Sequence, residues 1–317
     1  MPESSKIIES ARKWFARESG KDTLKILYGI RGAGKSAAVN AIIEDLRAGG
    51  TPEKNIVHID FEEPAMRRVK TYKDVLALIK KREIEGKAYL FLDELTGLLD
   101  YEVLMGVLFG MKEFELMVTV SNRRIFESQV ATYFKGRISR CMMPAPLGLK
   151  RDRRELQRVW GTLFLRDVLG GHLLADATAE ERLAEVLSDR LGEQLSMRRL
   201  AQLLDINGHK LHPNTVADYI KALLDACLIE AAPICDTFTG EVLNIGMRYF
   251  WTDLELRASR FGDSPDFETE RLKYAQKYLE IRRTHAKVMC VRTNDLFADF
   301  VVTDRDGKME EIKWKEF

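Results

Sequence analysis

The sequence predicts an α/β first half built on a parallel sheet with helices on both faces, then a helical segment, then a small α+β end. Two observations predict the first half. Short β-rich runs alternate with helically spaced apolar residues up to about residue 145, and a glycine-rich loop follows the first run. A third observation, a D…E-x-K spacing across a turn near the C-terminal end, predicts the last part.

The elements follow in order. LKILY (24–28) reads as a strand, and 35–48 as a helix with Val39, Ile42, Ile43 and Leu46 on one face. IVHID (56–60) is a second strand, and helical spacing returns over 75–84. AYLFL (88–92) is the most apolar strand; 101–114 reads as helix. LMVTV (116–120) and ISRCMM (138–143) complete the strand set. Strands separated by helices pair in parallel and are covered on both faces. Ligands of such sheets bind at the carboxyl ends of the strands, so the polar residues just after each strand are the ones to weigh.

Composition sets outer limits. The chain has 317 residues, enough for two or three domains, and a net charge of +1 excludes a wholesale polycation or an acidic disordered tail. The four cysteines, Cys141, Cys227, Cys235 and Cys290, have no paired spacing, which argues against zinc modules and a disulfide framework. The N-terminal stretch lacks the apolar core of a leader, and no apolar run is long enough to span a membrane. A cytoplasmic protein with no membrane partner is expected.

Residues 29–36, GIRGAGKS, satisfy G-x-x-x-x-G-K-[ST] between a strand and a helix. Such a loop wraps its main-chain N–H groups around phosphates. The contacts are expected from Gly29, Ile30, Arg31, Gly32, Ala33, Gly34, Lys35, Ser36 and Ala37. Lys35 reaches the β and γ phosphates, and Ser36 ligates Mg²⁺. The positive end of the following helix adds to the same site. Arg31 either touches phosphate or points into solvent.

Asp93 and Glu94 directly follow AYLFL. A carboxylate closing a buried strand is costly without a cation. Asp93 is therefore expected to hold Mg²⁺, directly or through water, and Glu94 to orient and deprotonate an attacking water. The plainer reading of LDELTGLL makes Asp93 a helix cap. After the fourth strand, Ser121, Asn122, Arg123 and Arg124 either reach the γ-phosphate or are ordinary loop polar groups. Arg137 either stabilises transition-state charge, in its own chain or on a neighbouring subunit, or is a surface arginine.

GIRGAGKS, IVHIDFEEP, AYLFLDEL, VTVSN and FKGR, in this order and spacing, resemble a large prokaryotic group of AAA-superfamily ATPases. The resemblance covers essentially the whole chain, and its motifs are most specific in the first 145 residues. It implies a P-loop NTPase domain over 1–145, a winged-helix-like domain over 146–235 and a PD-(D/E)XK-like domain over 236–317. It also implies ATP and Mg²⁺ as ligands, and a five-stranded sheet with the Asp93–Glu94 strand beside the sensor strand. Lys35, Ser36, Asp93 and Glu94 match that pattern. Ser121 or Asn122 takes the sensor position, and Arg137 matches the Gly-Arg after it. Ala37 departs from the second hydroxyl residue common there.

PAPLGLK (144–150) reads as a linker. The cluster Lys150, Arg151, Arg153, Arg154 and Arg158 either meets nucleic-acid phosphates or is a solvated face. Residues 196–230 have helix-turn-helix spacing: Ser196 caps 197–204, Asn207-Gly208 turn, and Pro213 opens a second helix to 226. Its outward residues Asn214, Thr215, Asp218 and Lys221 would face DNA, with Asp218 opposing it. Near the end, Asp299, Glu311 and Lys313 flank the turn DRDG (304–307), with Glu268 on the preceding helix. In a nuclease the carboxylates bind Mg²⁺ and Lys313 orients the water. Ordinary strand alternation is the plainer reading, and a degenerate or regulatory domain is expected. The functional expectation is Mg²⁺-dependent ATP hydrolysis coupled to movement of the C-terminal domains. The alternatives are an ATP-dependent DNA-binding factor or nuclease, and a non-hydrolysing nucleotide-gated protein acting with a partner or as a homo-oligomer.

Overall fold

The alternation of apolar runs and helical spacings becomes, in the first part of the chain, a parallel sheet wrapped by helices. The computed structural model describes residues 3–146, 151–171, 176–204, 211–262, 268–285, 287–303 and 308–315. The chain divides into two units, Met1–Pro146 and Leu147–Phe317.

The first unit runs α1 (Glu3–Glu18), β1 (Leu24–Tyr28), α2 (Lys35–Ala48), β2 (Ile56–Asp60), α3 (Tyr72–Lys80), β3 (Ala88–Asp93), α4 (Tyr101–Phe109), β4 (Phe114–Val120), α5 (Gln129–Tyr133) and β5 (Ile138–Met142). The five strands lie in the order β2-β3-β4-β1-β5, every pair parallel. One face, with Ile26, Val57, Leu90 and Val118, buries Val75 and Ile79 of α3 and Leu104 and Leu108 of α4. On the other face Phe15 of α1 meets Phe91, ring centroids 5.8 Å apart. Burying each such aliphatic side chain stabilises the fold by about 1.5–3 kcal/mol. Because β1 lies between β4 and β5 while β2 takes the far edge, the carboxyl ends of β1 and β4 border a crevice.

Two boundaries differ from the sequence expectation. α3 begins at Tyr72 because Thr71 and Asp74 form a reciprocal capping box. α4 stops at Phe109 rather than near 114, since Gly110 closes it and Phe114 is drawn into β4 opposite Ala88. α1 forms because Ile7, Ala11, Trp14 and Phe15 make one buried stripe.

The second unit runs α6 (Arg153–Thr162), continued by a π-helical turn (Leu163–Val168), then α7 (Ala177–Asp189), β6 (Gln194–Leu195), α8 (Met197–Leu203), α9 (Pro213–Asp225), β7 (Ile229–Cys235), β8 (Val242–Trp251), α10 (Leu254–Phe261), α11 (Glu268–Thr284), β9 (Lys287–Val291), β10 (Phe300–Thr303) and β11 (Met309–Ile312). Its strands form a single six-stranded sheet, β11-β10-β9-β7-β8-β6. β7 and β9 pair in parallel, and the other pairs are antiparallel. The division expected at 235/236 thus falls between two paired strands of one sheet. Ser196 caps α8, accepting from Arg199 N at 3.2 Å, and Pro213 sits in the first turn of α9. Residues 147–150 with Lys150, the Asn207-Gly208 turn and the 304–307 turn lie outside the described residues, as does the Glu268 side chain. Among the described residues no helix is long and apolar enough to cross a membrane.

Candidate nucleotide site

The glycine loop leaves the carboxyl end of β1. A Cβ at Gly29 would lie 2.2 Å from the Met143 carbonyl oxygen, so only glycine fits beneath the chain leaving β5. Gly34 caps α2 with φ 92°, a left-handed conformation that glycine adopts without strain. Ser36 and Ala37 lie exposed in the first turn of α2, where helix N–H groups and the macrodipole favour an anion.

Lys35, the first residue of α2, is 4% exposed. Its ammonium donates to Gly29 O at 3.1 Å, Ile30 O at 3.3 Å and Ser121 Oγ at 2.9 Å. It lies 3.0 Å from Glu94 Oε1. Ser121 Oγ in turn donates to Glu94 Oε1 at 2.6 Å. Residues from α2, β3 and the end of β4, far apart in sequence, therefore share one buried network.

Asp93 closes β3 and is fully buried. Its Oδ1 accepts from Thr119 Oγ1. Its Oδ2 makes no hydrogen bond and faces His58 Nε2 at 3.9 Å. Burial pushes this carboxyl up, but His58 and the Thr119 and Ser36 hydroxyls outweigh it and hold Asp93 below the usual carboxylate range. It caps no helix: α4 is capped at Asp100. Glu94 adopts φ 50°, ψ 50°, unusual for a non-glycine residue, with its N–H donated to Thr119 Oγ1 at 2.9 Å. Burial pushes its carboxyl up, and Lys35, Arg31 and Ser121 more than offset that, so it stays ionised. An unbonded buried carboxylate oxygen beside a serine hydroxyl at a helix start is an all-oxygen donor set that suits Mg²⁺.

Sequence reasoning left several neighbours unassigned. Thr119 ties Asp93 and Glu94 together, hidden inside the run LMVTV of β4. His58 and Asp60 come from β2, where Asp60 pairs in register with Asp93. Burial and the charge of Asp93 raise the Asp60 carboxyl, while the Glu62 N–H opposes them. Arg31 does not point into solvent: its Nη1 bonds Glu62 Oε1, and its Nη2 is 4.0 Å from Glu94 Oε2.

Two expected residues lie elsewhere. Asn122 is buried, but its Oδ1 accepts from Arg124 N at 3.2 Å and shapes a turn; Ser121 is the residue that joins Lys35 and Glu94. Arg137 precedes β5, and its carbonyl accepts from Leu24 N at the amino-terminal start of β1. It bonds Asp22 at 2.9 Å and stacks over Phe109 at 4.5 Å. A strand of this length places it about 16 Å from the glycine loop, at the opposite edge of the sheet. Action within its own chain is thereby corrected.

In the second unit Lys313 Nζ lies 3.0 Å from Asp299 Oδ2 and 2.7 Å from Glu311 Oε1. Both carboxylates raise the lysine. Among the described residues no three His, Cys, Asp or Glu side chains gather to hold a metal. On α9, Asn214, Asp218 and Lys221 are exposed, and Lys221 pairs with Asp225 at 2.8 Å. Arg151 is bound by Asp253 and Glu255.

With this geometry in hand, residues 21–147 match the family model described as an AAA domain. The five-stranded parallel sheet and its glycine loop are consistent with a P-loop NTPase fold in the first unit. An uncharacterized protein of Haemophilus influenzae is 20% identical over 323 residues, spanning 90% of this chain and 80% of that one. Among solved structures the chain is similar to the Walker-type ATPase paby2304 of Pyrococcus abyssi, with TM-score 0.50 and 13% identity, over 79% of this chain and 94% of that one. At that identity the likeness concerns fold.

Proposed function

We propose that the first unit binds ATP with Mg²⁺ in the glycine loop and hydrolyses it. One observation carries this reading: Lys35, Glu94 and Ser121 converge on one buried network at the carboxyl end of the sheet. The loop amides of 29–37 surround the phosphates, and Lys35 exchanges its loop carbonyls for phosphate oxygens. Ser36 and Asp93 hold the cation. When bound, Mg²⁺ neutralises charge developing on the transferred phosphoryl group. Glu94, kept ionised by Lys35 and Arg31, accepts the proton of the attacking water, and Ser121 orients its carboxylate. Arg137, unable to reach this site, acts on a nucleotide held by a neighbouring copy.

For the second unit we propose a winged-helix-like arrangement in α7-β6-α8-α9-β7-β8 and a degenerate nuclease-like end in α11-β9-β10-β11. Nucleotide turnover moves this unit. The order of elements supports both readings. The Lys313 ammonium between Asp299 and Glu311 supports degeneracy, since it neutralises the two carboxylates that a metal would need. With Lys221 paired and Asp218 exposed beside it, the face of α9 favours a protein partner over DNA.

Glu94→Gln tests the reading. It is expected to keep ATP affinity while turnover falls by at least about a hundredfold, the scale of a lost general base. Parental turnover in this variant contradicts hydrolysis through Glu94; binding without turnover in the parent leaves the non-hydrolysing alternative.

A further inference from the structure

Glu94 is held from two sides. Ser121 and Lys35 meet its Oε1. Its Oε2 makes no hydrogen bond, and Arg31 Nη2 faces it at 4.0 Å. Arg31 is only 11% exposed at its side chain, well below a solvated loop arginine. Glu62 grips its other nitrogen. Glu62 is itself fixed at the end of β2, where Asp60 Oδ1 accepts its N–H at 2.8 Å. β2 pairs with β3, so the tether and Glu94 share one rigid frame. Lys35 cannot serve both Glu94 and a triphosphate from one position, because its donors are already spent on four acceptors.

We propose that Arg31, tethered by Glu62, is the positioning residue that keeps Glu94 aimed at the attacking water once the triphosphate draws Lys35 away. This rests on the ATPase reading above. Glu62 has a second consequence: it withholds Arg31 from the phosphates. Arg31 acts through Glu94, and its loss lowers turnover rather than affinity.

The experiment pairs steady-state ATP turnover with calorimetry, using Mg²⁺ and a non-hydrolysed ATP analogue on the full chain. Arg31→Gln is expected to lower kcat by about tenfold or more with Kd within about threefold, and Arg31→Lys to recover part of the loss. Glu62→Gln, at an exposed position just past β2, is expected to lower kcat by about fivefold while the freed arginine tightens analogue binding. The double variant is expected to be no slower than Arg31→Gln alone, since the two residues act as one unit. If Arg31→Gln weakens analogue binding more than about tenfold with kcat unchanged, Arg31 is a phosphate ligand and the proposal fails. Parental kcat in Glu62→Gln also overturns it. A parent that binds no analogue sinks the ATPase reading and this one together; a parent that turns ATP over with Arg31→Gln at the same rate sinks the tether alone.

Discussion

Thr119 shows how much one hydroxyl decides. It accepts from the Glu94 amide and donates to Asp93, so the backbone turn at Glu94 and the charge on Asp93 depend on one side chain. Glu180 shows the opposite case. It is fully buried in the first turn of α7, and neither carboxylate oxygen has a hydrogen bond. Burial raises its pKa from 4.5 to about 8. The folded chain then retains a proton that the unfolded chain releases. The contribution of Glu180 to stability is therefore fully present below pH 4.5 and is lost as pH rises to about 8. Glu180→Gln is expected to flatten that decline in denaturation midpoints measured across the window. An unchanged pH slope would show that other groups set it.

At the scale of elements, a buried ion pair joins the neighbouring strands β1 and β4. Lys25 and Glu115 lie 3.2 Å apart and are both nearly inaccessible. Glu115 also accepts from Gly20 N, just past α1, at 3.1 Å. Burial lowers the lysine, and Glu115 opposes it. Glu115→Gln is expected to cost about 3–5 kcal/mol by stranding the Lys25 charge, whereas Lys25→Met with Glu115→Leu costs much less. Thermal or denaturant unfolding compares them, and equal losses would contradict the stranded-charge account. Elements are also where legibility divides. β1, β2, α2 and the glycine loop follow from local periodicity and spacing, which the tertiary fold leaves intact. Lys35, Asp93 and Glu94 were legible because each follows a strand that names its place. The choice of Ser121 over Asn122 was not, because it depends on which way the chain turns after β4. Arg137 could have been placed from strand direction alone: a residue preceding a parallel strand lies at the edge opposite a loop that follows one. The six-stranded sheet was hidden because β7 and β9 join segments 55 residues apart, Cys235 to Cys290, with no local signal.

For the whole molecule, Arg137 lies at the edge of the sheet opposite the glycine loop, and the proposed reading gives it a place only in a neighbouring copy's site. Arg137 is expected to complete a neighbour's site, so turnover per chain should rise with protein concentration while Arg137→Ala flattens the rise. Sedimentation with ATP and Mg²⁺ should show association in the same range. Full turnover by a strictly monomeric chain would contradict this. The second unit's strands form one six-stranded sheet that continues past residue 235.

The central claim is that loop amides, Lys35, Ser36 and Asp93 form a triphosphate–Mg²⁺ site. Isothermal calorimetry of the parent and of Lys35→Ala, each titrated with ATP and Mg²⁺, tests it most directly. A single saturable site in the parent, weakened at least about tenfold in Lys35→Ala, is the predicted result. No heat of binding in the parent at millimolar nucleotide, or identical isotherms for the two proteins, would contradict it.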